Sequence, residues 1–138
     1  MTIFRHNFRV RYAETDRMGV SYYAHYLVWF EMGRAEYFRD LGVSYTSYEE
    51  EGMFLPVIEA FARYLAPTTY DDPLTIEVIV SAVGRSSIKF EYRILHAETE
   101  RKVAEGYTVH AFVDRSHKPV RVPDEIKHKI SLQVFEPA

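Results

Sequence analysis

Residues 24–41 read AHYLVWFEMGRAEYFRDL, and Gly42 follows. Tyr26, Trp29, Phe30, Gly33, Tyr37 and Leu41 recur at three- and four-residue steps, the repeat that collects side chains on one face of an α-helix. A glycine after the last apolar position can take the left-handed conformation that ends a helix at little steric cost. The spacing therefore predicts one long helix over 24–41. Leu27, Val28 and Phe38 widen its apolar face, so the helix is expected to be largely buried.

The flanking segments must supply the cover. Upstream, Phe4, His6, Phe8, Val10 and Tyr12 alternate with Arg5, Asn7, Arg9 and Arg11, the two-residue period of a half-buried strand. Downstream, a short helix is expected over 44–52, capped by Ser44 or Thr46. Four strand-like segments follow. Ile58, Ala60, Ala62 and Tyr64 form the first, ended by Pro67; Leu74, Ile76, Val78 and Val80 form the second. Gly84 and Arg85 mark a turn before Ile88, Phe90, Tyr92 and Ile94, whose alternation is the clearest in the chain. Val103, Tyr107, Val109, Ala111 and Val113 make the last. Over 123–132 acids come first and lysines and a histidine last, the charge order a helix dipole favours.

Strand, long helix, then four strands with short connections predicts an α+β architecture, a five-stranded antiparallel sheet with one helix across its face. One sheet covers one side of a helix, and a helix this apolar needs more. A second copy of the chain is the expected remedy.

Composition narrows function. The chain has 138 residues, suited to a single domain over 1–138 with a real core. Hydrophobic residues make up 47% and charged residues 27%, an ordinary globular balance, while an aromatic content of 15% points to a core or pocket built from rings. The absence of cysteine excludes disulfides, thiol nucleophiles and thiolate metal sites. A net charge of −3 gives no general attraction to nucleic acid, and none is expected as a partner. No apolar run approaches the roughly 20 residues that span a bilayer, so no stable membrane insertion is expected. MTIFRHNFRV has no basic head, apolar stretch and cleavage site in sequence, and a cytoplasmic location is expected.

ETDRMGVSYYAHY, Glu14 to Tyr26, sets a carboxylate, Asp16, and a glycine, Gly19, just ahead of the long helix. By itself Asp16 reads as a turn or capping residue. In context, the run VRYAETDRMGVSYYAHYLVWFEMGRAEYF resembles hotdog-fold thioesterases, nearest to 4-hydroxybenzoyl-CoA thioesterase and its relatives associated with the Tol-Pal system. RYLAPTTYDDPLTIEV and GRSSIKFEYRI resemble the same family, so the likeness covers nearly the whole chain. It implies a hotdog fold, a five-stranded sheet wrapped around the central helix. It also implies hydrolysis of an acyl-CoA thioester without a cofactor or metal, in a homodimer or homotetramer.

Carried over by position, the family's catalytic carboxylate falls on Asp16, and the backbone N–H that polarises the thioester carbonyl falls on Tyr23. A helix N-terminus offers free N–H groups and partial positive charge to a developing oxyanion. Gly19 would let the chain turn between strand and helix. Tyr12, Tyr22, Tyr23 and Phe54 are expected to line an apolar or aromatic acyl slot. Arg85, Ser86 and Ser87, with Lys89 beyond, form either a polar turn or a seat for CoA phosphates. Many Tol-Pal-type relatives carry histidine where Tyr23 stands; here His25 comes two positions later, and no general-acid role is carried to it. Glu31 and Arg34 are expected to form an i,i+3 ion pair, and Gly33 to mark close approach of the helix. Three functions fit these residues: an acyl-CoA thioester hydrolase, a non-catalytic acyl-CoA or acyl-carrier binding module, and, least well spaced, a metal site from Glu14, Asp16 and His25. Within the first, Asp16 is either a nucleophile or a general base.

Overall fold

The computed structural model describes residues 3–136. The long helix, α1, spans Ala24–Leu41, and Gly42 ends it at φ 76° with the Val43 N–H reaching back to Phe38 O. α1 buries Tyr26, Trp29, Phe30, Gly33, Tyr37 and Phe38. A methyl group at Gly33 would stand 2.7 Å from Ile76 Cδ1, so this glycine is where the helix presses against the sheet. The Phe30 ring stacks on Tyr92 at 4.4 Å, almost parallel. Leu27 and Val28, expected to widen the buried face, stay 41% and 48% exposed.

The remaining elements are β1 (Phe4–Arg9), α2 (Tyr45–Glu50), β2 (Val57–Tyr64), β3 (Pro73–Val83), β4 (Ser87–His96), β5 (Lys102–Ala111) and α3 (Asp124–Lys129). All five strands form one antiparallel sheet in the order β1-β3-β4-β5-β2. Ser44 caps α2, its Oγ accepting the Ser47 N–H, and the helix stops short of residue 52. β1 ends at Arg9 instead of running on to Tyr12. Glu14 folds back to accept the Arg11 N–H at 2.8 Å, and residues Tyr12–Glu14 turn in a 3-10 loop that breaks the alternation.

The two sheet edges differ. β1 carries Arg5, His6, Asn7 and Arg9, whereas β2 leaves Val57, Ile58, Phe61 and Tyr64 exposed. On the sheet face away from α1, the fully buried Glu77 accepts from Arg5 of β1 at 2.8 Å and from Arg93 of β4 at 3.0 Å, tying three adjacent strands together.

A polar chain runs through the other face. His110 is fully buried; its Nδ1 lies 3.1 Å from Leu55 O and its Nε2 2.9 Å from Thr108 Oγ1. A carbonyl only accepts, so Nδ1 carries the proton and Nε2 accepts from Thr108. Thr108 in turn takes the Tyr92 hydroxyl at 2.6 Å, and Tyr92 takes Arg34 Nη1 at 3.2 Å. This overturns the expected Glu31–Arg34 ion pair: Arg34 turns inward to the sheet, and no such pair exists among the described residues. Burial lowers the His110 pKa to about 4, helped by the Arg34 charge and opposed by the Leu55 carbonyl.

Candidate active site

Asp16 sits half-buried in the loop that joins the 3-10 turn to α1. The loop is closed on itself: Thr15 bridges Ser21, the Asp16 N–H donates to Val20 O at 2.9 Å, and the Gly19 N–H donates to Asp16 O at 3.0 Å. Gly19 adopts φ 79°, a conformation that strains most other residues, so the tight turn depends on it. The Asp16 carboxylate accepts the Met18 N–H through Oδ1 at 2.8 Å, while Oδ2 has no donor among the described residues. One oxygen thus does the work of a turn residue.

Helical backbone angles begin at Tyr23. Its N–H and that of Ala24 meet no acceptor among the described residues, no side chain caps them, and the first turn of α1 holds no acid. These free donors at the positive end of an 18-residue helix suit an oxyanion. Tyr22 lies with its ring 4.8 Å from that of Tyr23. The neighbouring Tyr23 phenol, then burial and the charge of Asp16, raise the Tyr22 pKa. A cleft of about 340 Å³ opens beside the helix start, lined by Val20, Ser21, Tyr23, Tyr26, Tyr64 and Leu65. Behind it, the buried hydroxyls of Ser21 and Tyr26 both meet Thr68 Oγ1, at 2.6 and 3.0 Å.

The other expected residues do not all gather here. Tyr12 is exposed and meets Tyr70 edge-on at 5.8 Å, outside the cleft. Phe54 lines a second cavity of about 230 Å³, with Arg34, Tyr45 and Phe112. Arg85, Ser86 and Ser87 form the β3–β4 turn, where Arg85 O and Ser86 O hold Val122 and Phe112 and the Arg85 side chain is exposed. The Asp16 loop pairs with residues just before β3, through Val20 and Thr69. The Arg85 turn follows its far end, 11 residues on, or about 36 Å at ~3.3 Å per residue. Lys89 lies over the Tyr107 ring at 4.5 Å.

Two residues of the cleft escaped the sequence reading. Tyr26 and Tyr64 stand 5.0 Å apart, ring to ring, bringing α1 and β2 together, and a helix periodicity shows only that Tyr26 is buried. Glu14, offered by the sequence as a metal ligand with Asp16 and His25, is committed elsewhere. Only 3% exposed, it accepts from Trp29 Nε1 at 2.9 Å and from Arg11. Its carboxylate is thereby taken up by protein donors, and among the described residues no three His, Asp or Glu side chains are grouped to hold a metal ion.

The sequence pattern of the thioesterase-like superfamily matches residues 10–130, nearly the whole chain. The chain belongs to that superfamily. Its relatives include the acyl-CoA thioesterase YbgC of Haemophilus influenzae, 36% identical over 86% of this chain and 88% of that protein. A 1,4-dihydroxy-2-naphthoyl-CoA hydrolase of Synechococcus elongatus is 30% identical, over 83% of this chain and 88% of its own. Among solved structures, that of a 1,4-dihydroxy-2-naphthoyl-CoA thioesterase from Synechocystis superposes with a TM-score of 0.89 over 94% of this chain and 96% of that one. At 21% identity this last likeness establishes the hotdog fold alone. The relatives named as acyl-CoA thioesterases and hydrolases, matched over most of their length, support acyl-CoA thioester hydrolysis. No helix among the described residues is long and apolar enough to cross a membrane.

Proposed function

We propose that residues 1–138 form a single cytoplasmic domain that hydrolyses a small-to-medium apolar or aromatic acyl-CoA to the free acid and CoA. Two observations support this reading: a carboxylate oxygen without a protein donor, Asp16 Oδ2, and, after the same loop, the free N–H groups of Tyr23 and Ala24 at an uncapped helix start. The thioester carbonyl oxygen takes the Tyr23 N–H, where negative charge on the tetrahedral intermediate is stabilised by a donor and dipole already in place. Asp16 then acts by one of two routes. It attacks the carbonyl carbon, expels the CoA thiolate and leaves an acyl-aspartyl anhydride that water opens. Alternatively it takes a proton from a water that attacks directly.

The acyl group lies in the cleft of Tyr23, Tyr26 and Tyr64, whose aromatic walls favour apolar and ring-bearing groups. The naphthoyl-CoA activity of a relative agrees with such walls. A second carboxylate on the acyl chain would lose its hydration there without a cationic partner.

CoA phosphates are the proposed ligands of Arg85, Ser86 and Ser87, although in one chain that turn stands at the opposite end of β3 from Asp16. A homodimer resolves the separation. β2 runs from the Arg85 end of the sheet to the Asp16 end, since Val57 pairs with His110 while Tyr64 packs on Tyr26. Antiparallel pairing of two β2 edges about a two-fold axis would bring Arg85 of a second copy toward Asp16. It would also cover Val57, Ile58 and Phe61.

Thiol release from a panel of acyl-CoAs, with and without chelator, tests this function. Chelator-insensitive turnover, fastest for neutral apolar or aromatic acyl groups, is expected. Binding without turnover would instead indicate a non-catalytic acyl-CoA module, and faster turnover of succinyl-CoA than of any neutral ester would refute the acyl preference.

A further inference from the structure

Glu14 lies at the neck of the loop that carries Asp16, and it holds both sides. Its backbone oxygen accepts the Tyr22 N–H at 2.8 Å, closing the loop where α1 begins. Its side chain crosses to α1 itself, where Oε2 accepts the Trp29 indole N–H at 2.9 Å and the Arg11 guanidinium at 3.3 Å. Oε1 accepts the Arg11 N–H at 2.8 Å, just before the loop. The indole is itself fixed, between Tyr26 at 4.7 Å and Phe8 at 5.3 Å.

A buried carboxylate is a poor way to gain stability, because an apolar side chain of similar size often serves as well. Burial by itself raises the Glu14 pKa, yet the Arg11 N–H, the Trp29 indole and the Arg11 guanidinium hold it below the usual carboxylate value. What an ionised carboxylate supplies that an apolar group does not is direction: several donors converge on one residue and fix the segments they come from. Those segments are the start of the Asp16 loop, its end, and the helix whose first N–H groups face the substrate.

We propose that Glu14 is a positioning residue for thioester hydrolysis, setting the distance between the Asp16 carboxylate and the Tyr23 N–H through its link to Trp29. The inference rests on the reading of Asp16 as the reacting carboxylate. Glu14 touches no substrate. It acts because a carboxylate displaced by about 1 Å from the carbonyl carbon can lose ~100-fold in rate.

The test uses Glu14→Gln and Trp29→Phe in the full chain, each made alone and in the Asp16→Asn background. Glutamine keeps the length of the side chain but must turn its amide NH2 toward one of the donors. Phenylalanine keeps the ring between Tyr26 and Phe8 and removes only the N–H. Glu14→Gln should lower kcat about 10- to 100-fold with KM for an acyl-CoA changed less than about threefold. Trp29→Phe should lower kcat in the same sense and by less. In the Asp16→Asn background neither change should lower the residual rate further, because the carboxylate they position is gone. If Glu14→Gln fails to fold, as judged by circular dichroism, Trp29→Phe carries the test. Unchanged kcat in the folded variants, or equal losses with and without the Asp16 carboxylate, would overturn the inference. Near-normal turnover in Asp16→Asn alone would overturn the reading of the site, and this inference with it.

Discussion

Protonation of His110 should weaken the fold by about 3.5 kcal/mol as the pH falls from 6.5 to 4. His110 sits fully buried, with Phe90 edge-on at 5.4 Å and the Arg34 charge nearby, and its two nitrogens are committed to Leu55 O and Thr108. Its pKa falls from 6.5 to about 4, because burial and then the Arg34 charge disfavour the imidazolium. In the unfolded chain the same ring binds a proton below about pH 6.5. The unfolded state therefore holds more protons throughout this window, and stability rises with pH. The contribution is present in full above pH 6.5 and lost progressively down to pH 4. A difference of about 2.5 units at ~1.4 kcal/mol each gives about 3.5 kcal/mol. Urea unfolding at fixed protein concentration, at half-unit intervals of pH, would measure the slope in the parent and in His110→Asn. The parent should lose about 1.4 kcal/mol per pH unit more than the variant over this range, the variant having no ring to titrate. The imidazole carbon resonances of His110 should stay in the neutral position at pH 5. A midpoint at pH 6 or above, or parallel slopes in the two proteins, would refute this reasoning.

Asp16→Asn should lower kcat at least ~100-fold while leaving the thermal midpoint nearly unchanged, since the amide oxygen can still accept the Met18 N–H. A single turnover in heavy-oxygen water then bears on the route: label in the Asp16 carboxylate marks an anhydride opened by water at the aspartyl carbon, whereas label only in the released acid fits direct attack or opening at the acyl carbon. Near-normal kcat would reduce Asp16 to a turn residue. Arg85→Ala should raise KM for CoA esters far more than for a truncated pantetheine thioester, and equal effects on both would remove Arg85 from the site. Ile58→Lys, on the exposed part of β2, should convert a dimer to a monomer by light scattering; an unchanged mass would move the interface elsewhere.

Segments with strong periodicity were legible in the sequence. The spacing of α1 gave both its ends, because apolar repeat and terminal glycine agree there, and Gly33 was readable as a contact since a helix has little other use for glycine. The end of β1 was not readable: alternation continues past Arg9, and only the Glu14 side chain, folding onto Arg11, stops it. Arg34 misled for a related reason. Spacing along a helix shows Glu31 as a neighbour, while the hydroxyl it bonds, Tyr92, lies 58 residues away in sequence. Asp16 and Tyr23 were proposed from sequence through a motif that is local. The cleft beside them was harder, because Tyr64 joins it across the fold and Phe54, grouped with it from sequence, lines another cavity.

The unlike rims of the sheet bear on how such a protein stays finite. A strand edge is a template, and a sheet with two receptive edges can recruit neighbours from both sides and grow into a ribbon. Here β1 is six residues long and carries two arginines, one drawn onto Glu77, whereas β2 presents valine, isoleucine, phenylalanine and tyrosine. Joining two copies through β2 would consume the receptive rim of each and leave only guarded ones outward. Strand addition would then terminate at two, and fibre growth would be arrested by the amino-acid content of one short edge.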